Sequence, residues 1–246
     1  MKFLKVLNMK KIVLSFLVAV MLGLSGCIKP VDQIKEFSYI PAFVDFSFTD
    51  VFGFVLRTPF GLVISNEIQN ATDLNIGDAV LAFYTVNFDQ QTLKEYTFAY
   101  DLDYVKVNRA TAHAATEGES TGELDFPIAE MFIAGLFENC LFVIFGHKAT
   151  EDQEFNYEMT FDNSVTSGIQ ELKIKAIKNN EGIGKEIDIA HSCAFDMRYF
   201  LYHSTDERTK YSIWYKTRMN NDGKNDYDIY FDNLDNTSIF QIELEE

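Results

Sequence analysis

The side chain with the clearest chemical assignment in this sequence is a cysteine that follows an apolar run. Leu24-Ser25-Gly26-Cys27 closes the stretch Ile12–Leu24, and the residues before Cys27 hold four lysines (Lys2, Lys5, Lys10, Lys11) and no acid. A basic segment, an apolar segment and small residues ahead of a cysteine make a secretory signal ending in a lipobox. The expected chemistry is acylation: a diacylglycerol thioether on the Cys27 sulfur, cleavage after Gly26, and an N-acyl chain on the new terminus. Three chains exceed the two signals that stable anchoring needs. The apolar run spans about 20 Å as a helix, short of the roughly 30 Å of a bilayer core, so it reads as a signal and not a permanent span. Met9-Lys10-Lys11 would start such a signal as well as Met1 does. Ile28 stands where an inner-membrane retention aspartate would be, so an outer-membrane location is expected. Cys27-Ile28-Lys29-Pro30-Val31-Asp32 leaves the periplasmic and surface faces both open.

Other reactive-looking groupings have plainer explanations. Gly118-Glu119-Ser120-Thr121-Gly122 matches G-x-S-x-G, but a nucleophile elbow needs a strand before it and a helix after it, and neither pattern is present. Asp101 and Asp103, flanked by Tyr100 and Tyr104, could form a carboxylate pair for glycoside hydrolysis; two acids on one strand face are more simply solvated. Asn221-Asp222-Gly223-Lys224-Asn225-Asp226 offers oxygen ligands for calcium but lacks EF-hand spacing, and Asp-Gly is a hairpin turn by itself. His113, His147, His191 and His203 show no zinc-ligand spacing. His191 lies on an apolar strand face and reads as a hydrogen-bonded core residue. No catalytic residue, metal ligand or cofactor site is assigned; Cys27 is the single site residue.

Composition narrows the partners. The chain has 21 Lys+Arg and 37 Asp+Glu; losing the four signal lysines leaves 17 against 37, a formal charge of −20. That balance opposes nucleic-acid phosphates, whose binding requires Lys and Arg to displace counterions. It also opposes an anionic membrane surface, and membrane attachment is expected through the N-terminal lipid; the charge itself reads as solubility. Hydrophobic residues make up 47%, with 23 Phe and 12 Tyr against 4 Pro, enough for a substantial core. Cys140 and Cys193 both lie in apolar strand patterns; buried thiols or a bridge are both open, with thiols preferred.

The elements that would carry these residues are strands. Period-two alternation runs through Phe43–Thr49, Phe52–Arg57, Gly61–Ser65, Asp78–Phe88 and Tyr96–Asn108, with turn signals at Thr58-Pro59-Phe60-Gly61 and Asn75-Ile76-Gly77-Asp78. Five short strands in this span predict a small barrel. Arg109–Glu123 lacks periodicity and reads as a linker. Beyond it, Met131–Ala134, Asn139–Gly146, Phe155–Phe161, Gln170–Ile177, Glu186–Phe195, Lys210–Arg218, Asp226–Phe231 and Ser238–Leu244 predict a sandwich, with one short helix near Phe126–Met131. The expected organisation is a signal over 1–26, a tether over 27–40, a barrel over 41–108, a linker over 109–124 and a sandwich over 125–246.

The order of segments resembles the NigD-like lipoproteins. It does so through Gly53–Ile64, then Leu74–Tyr84 and Asp103–Asn108, followed by Met131–Gly135 leading to Leu141–Gly146, and Cys193–Met197. The resemblance covers nearly the whole mature chain. It implies an all-β fold, an OB-like N-terminal barrel followed by an antiparallel β-sandwich, and a lipid-anchored location; it implies no catalytic residue. Together these readings give the expectation of a non-enzymatic envelope protein, a binding or interaction module for a protein or glycan. A glycan hydrolase using barrel-loop carboxylates, or an immunity-type lipoprotein docking to a membrane partner, are the alternatives.

Overall fold

The computed structural model describes residues 34–48, 53–91, 95–115, 125–162, 164, 169–203, 208–215, 227–232 and 241–244. Strands dominate. The first half carries β1 (Ile34–Ser47), β2 (Gly53–Thr58), β3 (Gly61–Ile64), β4 (Ala79–Asn87), β5 (Tyr96–Phe98) and β6 (Tyr100–Thr111), with a one-turn helix α1 (Asn66–Gln69) capped by Ser65. The second half carries β7 (His113–Ala114), β8 (Asp125–Phe126), β9 (Glu130–Phe137), β10 (Cys140–Ala149), β11 (Phe155–Phe161), β12 (Ile169–Lys178), β13 (Ile187–Asp196), α2 (Arg198–His203), β14 (Arg208–Tyr215), β15 (Tyr227–Asp232) and β16 (Gln241–Leu244). Among the described residues no helix is long and apolar enough to cross a membrane.

Two sheets account for nearly all of this. One runs β5-β3-β2-β1-β4-β6-β13-β10-β9, the other β16-β15-β14-β12-β11-β7, with β8 paired to β12. The larger sheet passes without a break from the first half into the second. Asn108–Thr111 of β6 lies parallel to Cys193–Asp196 of β13. Among the described residues four buried clusters follow from the alternation of side chains across the strands, the smallest being Val55, Ile64 and Tyr96 on β2, β3 and β5. In the first half, Val44, Leu56, Val63, Val80 and Leu102 pack together, all from one coiled run of strands. In the second, Leu141, Val143, Phe145, Cys193 and Phe195 face Met159, Leu172, Ile174 and Ile213 across two layers. Between the halves, Phe43, Ala79, Leu81 and Val107 pack on Cys140, Phe142 and Ala194. The strands β10 and β13 are therefore covered on both faces, which is why Leu141–Val143 reads as an unbroken apolar run.

The all-β class holds, and four details depart from expectation. The sheets are mixed, since the pairs β3–β5, β6–β13, β7–β11 and β12–β14 are parallel. The expected tether over 27–40 is strand from Ile34 on; a bulge between Phe37 and Ile40, with Tyr39 at φ +56°, shifts the alternation by one residue and hides the strand. The expected linker over 109–124 is strand through Thr111 and again at His113–Ala114: Ala110, Ala112 and Ala114 face the second-half core while Arg109, Thr111 and His113 are exposed, and alanine is too small to mark that alternation as an apolar pattern. The stretch near Phe126–Met131, expected as a helix, is the end of β8 and the start of β9.

Candidate functional site

The β1 bulge turns Tyr39 out of the alternation and leaves it 46% exposed. Its ring meets Phe83 of β4 edge-on at 4.8 Å and lies 5.9 Å from Phe132 of β9. Phe83 sits where the β4–β6 register breaks, between the Phe83 and Thr85 pairings. Phe132 points away from its neighbours Met131 and Ile133, which belong to the second-half core, and is 55% exposed. Three rings from three strands, drawn from both halves, thus meet at one surface.

Beside them lies a cavity of about 470 Å³ lined by Ala129, Glu130, Met131, Phe132, Ile144, Gly146, Ala190 and Tyr215. Phe132, Ile144 and Ala190 are alternate residues of neighbouring strands, so they share the sheet face that Phe43 and Leu81 cover further along. Gly146 keeps the floor open: a β-carbon there would stand 3.3 Å from the Glu130 β-carbon. The site is a cluster of three rings beside a cavity that Phe132 also lines, with Glu130 among the residues of its wall. Such a surface can stack on the C–H face of a sugar or on an apolar peptide side chain.

A second polar feature is internal. His147 is buried; its Nδ1 lies 3.0 Å from the Pro127 carbonyl oxygen and its Nε2 lies 2.8 Å from the Tyr157 hydroxyl. The carbonyl can only accept, so Nδ1 carries the proton and Nε2 accepts from Tyr157. The ring stacks on Phe155 at 4.4 Å and 9°. Burial pushes its pKa down to about 4, only partly opposed by the Pro127 carbonyl. His191 is half-buried 6.1 Å away, its pKa also lowered by burial. The buried, hydrogen-bonded histidine is thus His147, not the expected His191.

The sequence-derived groupings do not converge. Asp101 has a left-handed backbone at φ +50° within β6, where the pairing with β4 shifts register, and the Asp103 carboxylate accepts from the Tyr104 amide. Both are exposed, and their flanking tyrosines are engaged elsewhere, Tyr100 with Gln90 and Tyr104 with Asp73. Cys140 and Cys193 are free and buried, and they face opposite sides of the sheet, Cys140 toward Phe142 and Cys193 toward Val143. Burial raises both thiol pKa values, that of Cys193 to about 12. Among the described residues no group of three His, Cys, Asp or Glu is arranged to hold a metal. Cys27, the Gly118–Gly122 motif and the Asn221–Asp226 run lie outside the described residues.

The aromatic site escapes a reading of the sequence because Tyr39, Phe83 and Phe132 lie 44 and 49 residues apart. The one local sign is the broken alternation in Phe37-Ser38-Tyr39-Ile40-Pro41, where a bulge is the simplest repair.

No family model matches the chain, and no curated protein matches it in sequence. Solved structures do. An uncharacterised protein from Parabacteroides merdae superposes with a TM-score of 0.60 at 18% identity, over 85% of this chain and 96% of that one. A candidate lipoprotein from Bacteroides fragilis superposes with a TM-score of 0.52 at 10% identity, over the same 85% and 96%. A NigD-like immunity protein from Bacteroides caccae also matches, at 0.46 and 13% identity over 85% and 97%. That last superposition is too distant to bear weight by itself. The first two show a shared fold along nearly the whole of each neighbour.

Proposed function

We propose that this chain is a NigD-like, non-enzymatic lipoprotein, held at the outer membrane through Cys27, that recognises an envelope protein or glycan through Tyr39, Phe83 and Phe132. The observation that carries the reading is the meeting of these three rings at one surface, beside a cavity that Phe132 lines. Exposed rings grouped together, here Tyr39 and Phe132 with the partly buried Phe83 against Tyr39, mark contact surfaces. Their placement on strands rather than on a mobile loop means that little ordering is lost on binding. The anchor follows from the basic and apolar segments that end at Cys27, and the shared fold with a candidate lipoprotein is consistent with it. The acidic charge favours neutral or basic partners over phosphate polymers.

Binding is tested with the lipidated protein against purified envelope glycans and detergent-solubilised envelope proteins. Phe132→Ala is expected to weaken the interaction by about 10-fold or more, as loss of a central aromatic contact does, while Asp101→Asn and Asp103→Asn leave it unchanged. Equal binding by Phe132→Ala and Tyr39→Ala variants would overturn the site. Glycan turnover by the wild type that is lost on Asp101→Asn would overturn the non-enzymatic reading.

A further inference from the structure

The end of the first half at which the chain enters is apolar, and it is built on rigid turns. Ile34, the first described residue, pairs with Asn87, and Phe88 follows in a short helical turn, Phe88–Gln90. Ile34 is 59% exposed and Phe88 50%. Gln91 fixes that turn: its amide donates to the Asn87 and Phe98 carbonyls and its oxygen accepts from the Phe98 amide. Phe60, 65% exposed, tops the β2–β3 turn, where Thr58 Oγ1 donates to the Gly61 carbonyl and accepts from the Phe60 amide. The Phe60 ring lies 5.5 Å from Phe37, which stacks on Tyr84 at 4.9 Å. Phe60 is therefore at the level of Phe37, three residues or about 10 Å behind the tip. These exposed apolar groups share one end of the body and are held there by hydrogen bonds.

We infer that this end, carrying Ile34, Phe60 and Phe88, is a lipid-contact face that seats the body against the bilayer to which Cys27 is attached. The inference rests on the reading of Cys27 as lipidated. Ile34 comes seven residues after Cys27, and a fully extended chain covers at most about 25 Å over that distance. The tip of β1 therefore cannot stand further than that from the membrane. The headgroup layer is itself roughly 5–8 Å deep on each side, so the nearest surface for these side chains to meet is lipid. Apolar side chains held at such a boundary make an interfacial contact. Charge does not prevent it: among the described residues at this end Lys35 stands against Glu36, Asp89 and Glu95, a small imbalance beside the whole mature chain. Neutral lipid is the surface that fits.

The opposite end supplies the control. Gly77 donates to the Val44 carbonyl, placing Ile76 about 30 Å along β1 from Ile34. Full-length lipidated protein carrying Phe60→Trp, Phe88→Trp or Ile76→Trp is placed in phosphatidylcholine vesicles with or without brominated acyl chains, each compared with the parent that contains Trp214. Flotation and intact mass confirm anchoring in the same samples. The added fluorescence of the Phe60→Trp and Phe88→Trp proteins is expected to fall about two-fold or more with brominated lipid, and that of Ile76→Trp to stay constant. Floated, acylated protein with no quenching at positions 60 and 88, or with equal quenching at position 76, overturns the face and leaves the anchor standing. Protein that carries no acyl chains and stays behind on flotation overturns both. Hydrogen exchange of the unsubstituted protein checks the same point without a mutation: residues 58–62 and 86–90 gain protection in vesicles relative to detergent, and unchanged exchange there contradicts the face.

Discussion

His147 shows how much one buried side chain sets in this protein. It is neutral in the fold, with Nδ1–H on Pro127 and Nε2 accepting from Tyr157, and its pKa is depressed to about 4 from an ordinary 6.5. Between those values the unfolded chain binds a proton that the folded chain does not, so stability rises with pH across that window. The contribution is complete above about pH 6.5 and is lost as pH falls toward 4, reaching about 3 kcal/mol in all. Urea unfolding at pH 7 and pH 4.5 measures it: the wild type should lose much of that stability on acidification. His147→Gln should be less stable at pH 7 and show a flatter pH dependence. An identical pH slope in both proteins would place the titrating group elsewhere. Little of this was legible beforehand, because the sequence marks His191 by its apolar strand. What distinguishes His147 is its cross-sheet partner Tyr157, ten residues away, and the Pro127 carbonyl, which no local pattern reveals.

At the scale of elements, the loops around β11 and β12 are tied to one another by polar contacts rather than by a core. Asp152 accepts from the Ile183 amide at 2.9 and 3.1 Å and from Thr150 Oγ1, and Asn180 donates to the Asp152 carbonyl. Gly182 allows this closeness. Its φ is +66°, and a β-carbon there would lie 1.8 Å from Thr150 Oγ1 and 2.5 Å from the Gln153 side chain. Gly182→Ala should therefore destabilise the fold by ~2–4 kcal/mol, combining left-handed backbone strain with overpacking. Gly184, at φ +124° with nothing within 4 Å of its would-be β-carbon, should suffer the backbone cost alone. Thermal unfolding of the two variants checks the order, and an equal loss in both would contradict it. Strands with clean alternation, such as Phe155–Phe161 and Leu172–Ala176, were readable because one face is core and the other solvent. The start of β1 and the end of β6 were not. A bulge interrupts the first, and the second is held by backbone pairing to β13 across 85 residues of chain.

The whole molecule is organised by the sheet that joins its halves and by the end at which its chain begins. The interior shared by Phe43, Leu81, Phe142 and Ala194, together with the ion pair from Arg57 to Glu138, fixes the first half on the second. That arrangement brings Tyr39 and Phe83 to Phe132, so the proposed recognition surface exists only when both halves are folded together. The location of that surface at an envelope rests on Cys27. The most direct measurement is intact mass and metabolic labelling of the protein recovered from the native envelope after growth with an alkynyl fatty acid. The expected chain begins at Cys27, carries diacylglycerol and an N-acyl group, takes up the label, and loses both features on Cys27→Ala. A recovered chain that retains residues 1–26, or that begins near Cys27 without acyl mass or label, would contradict this anchoring.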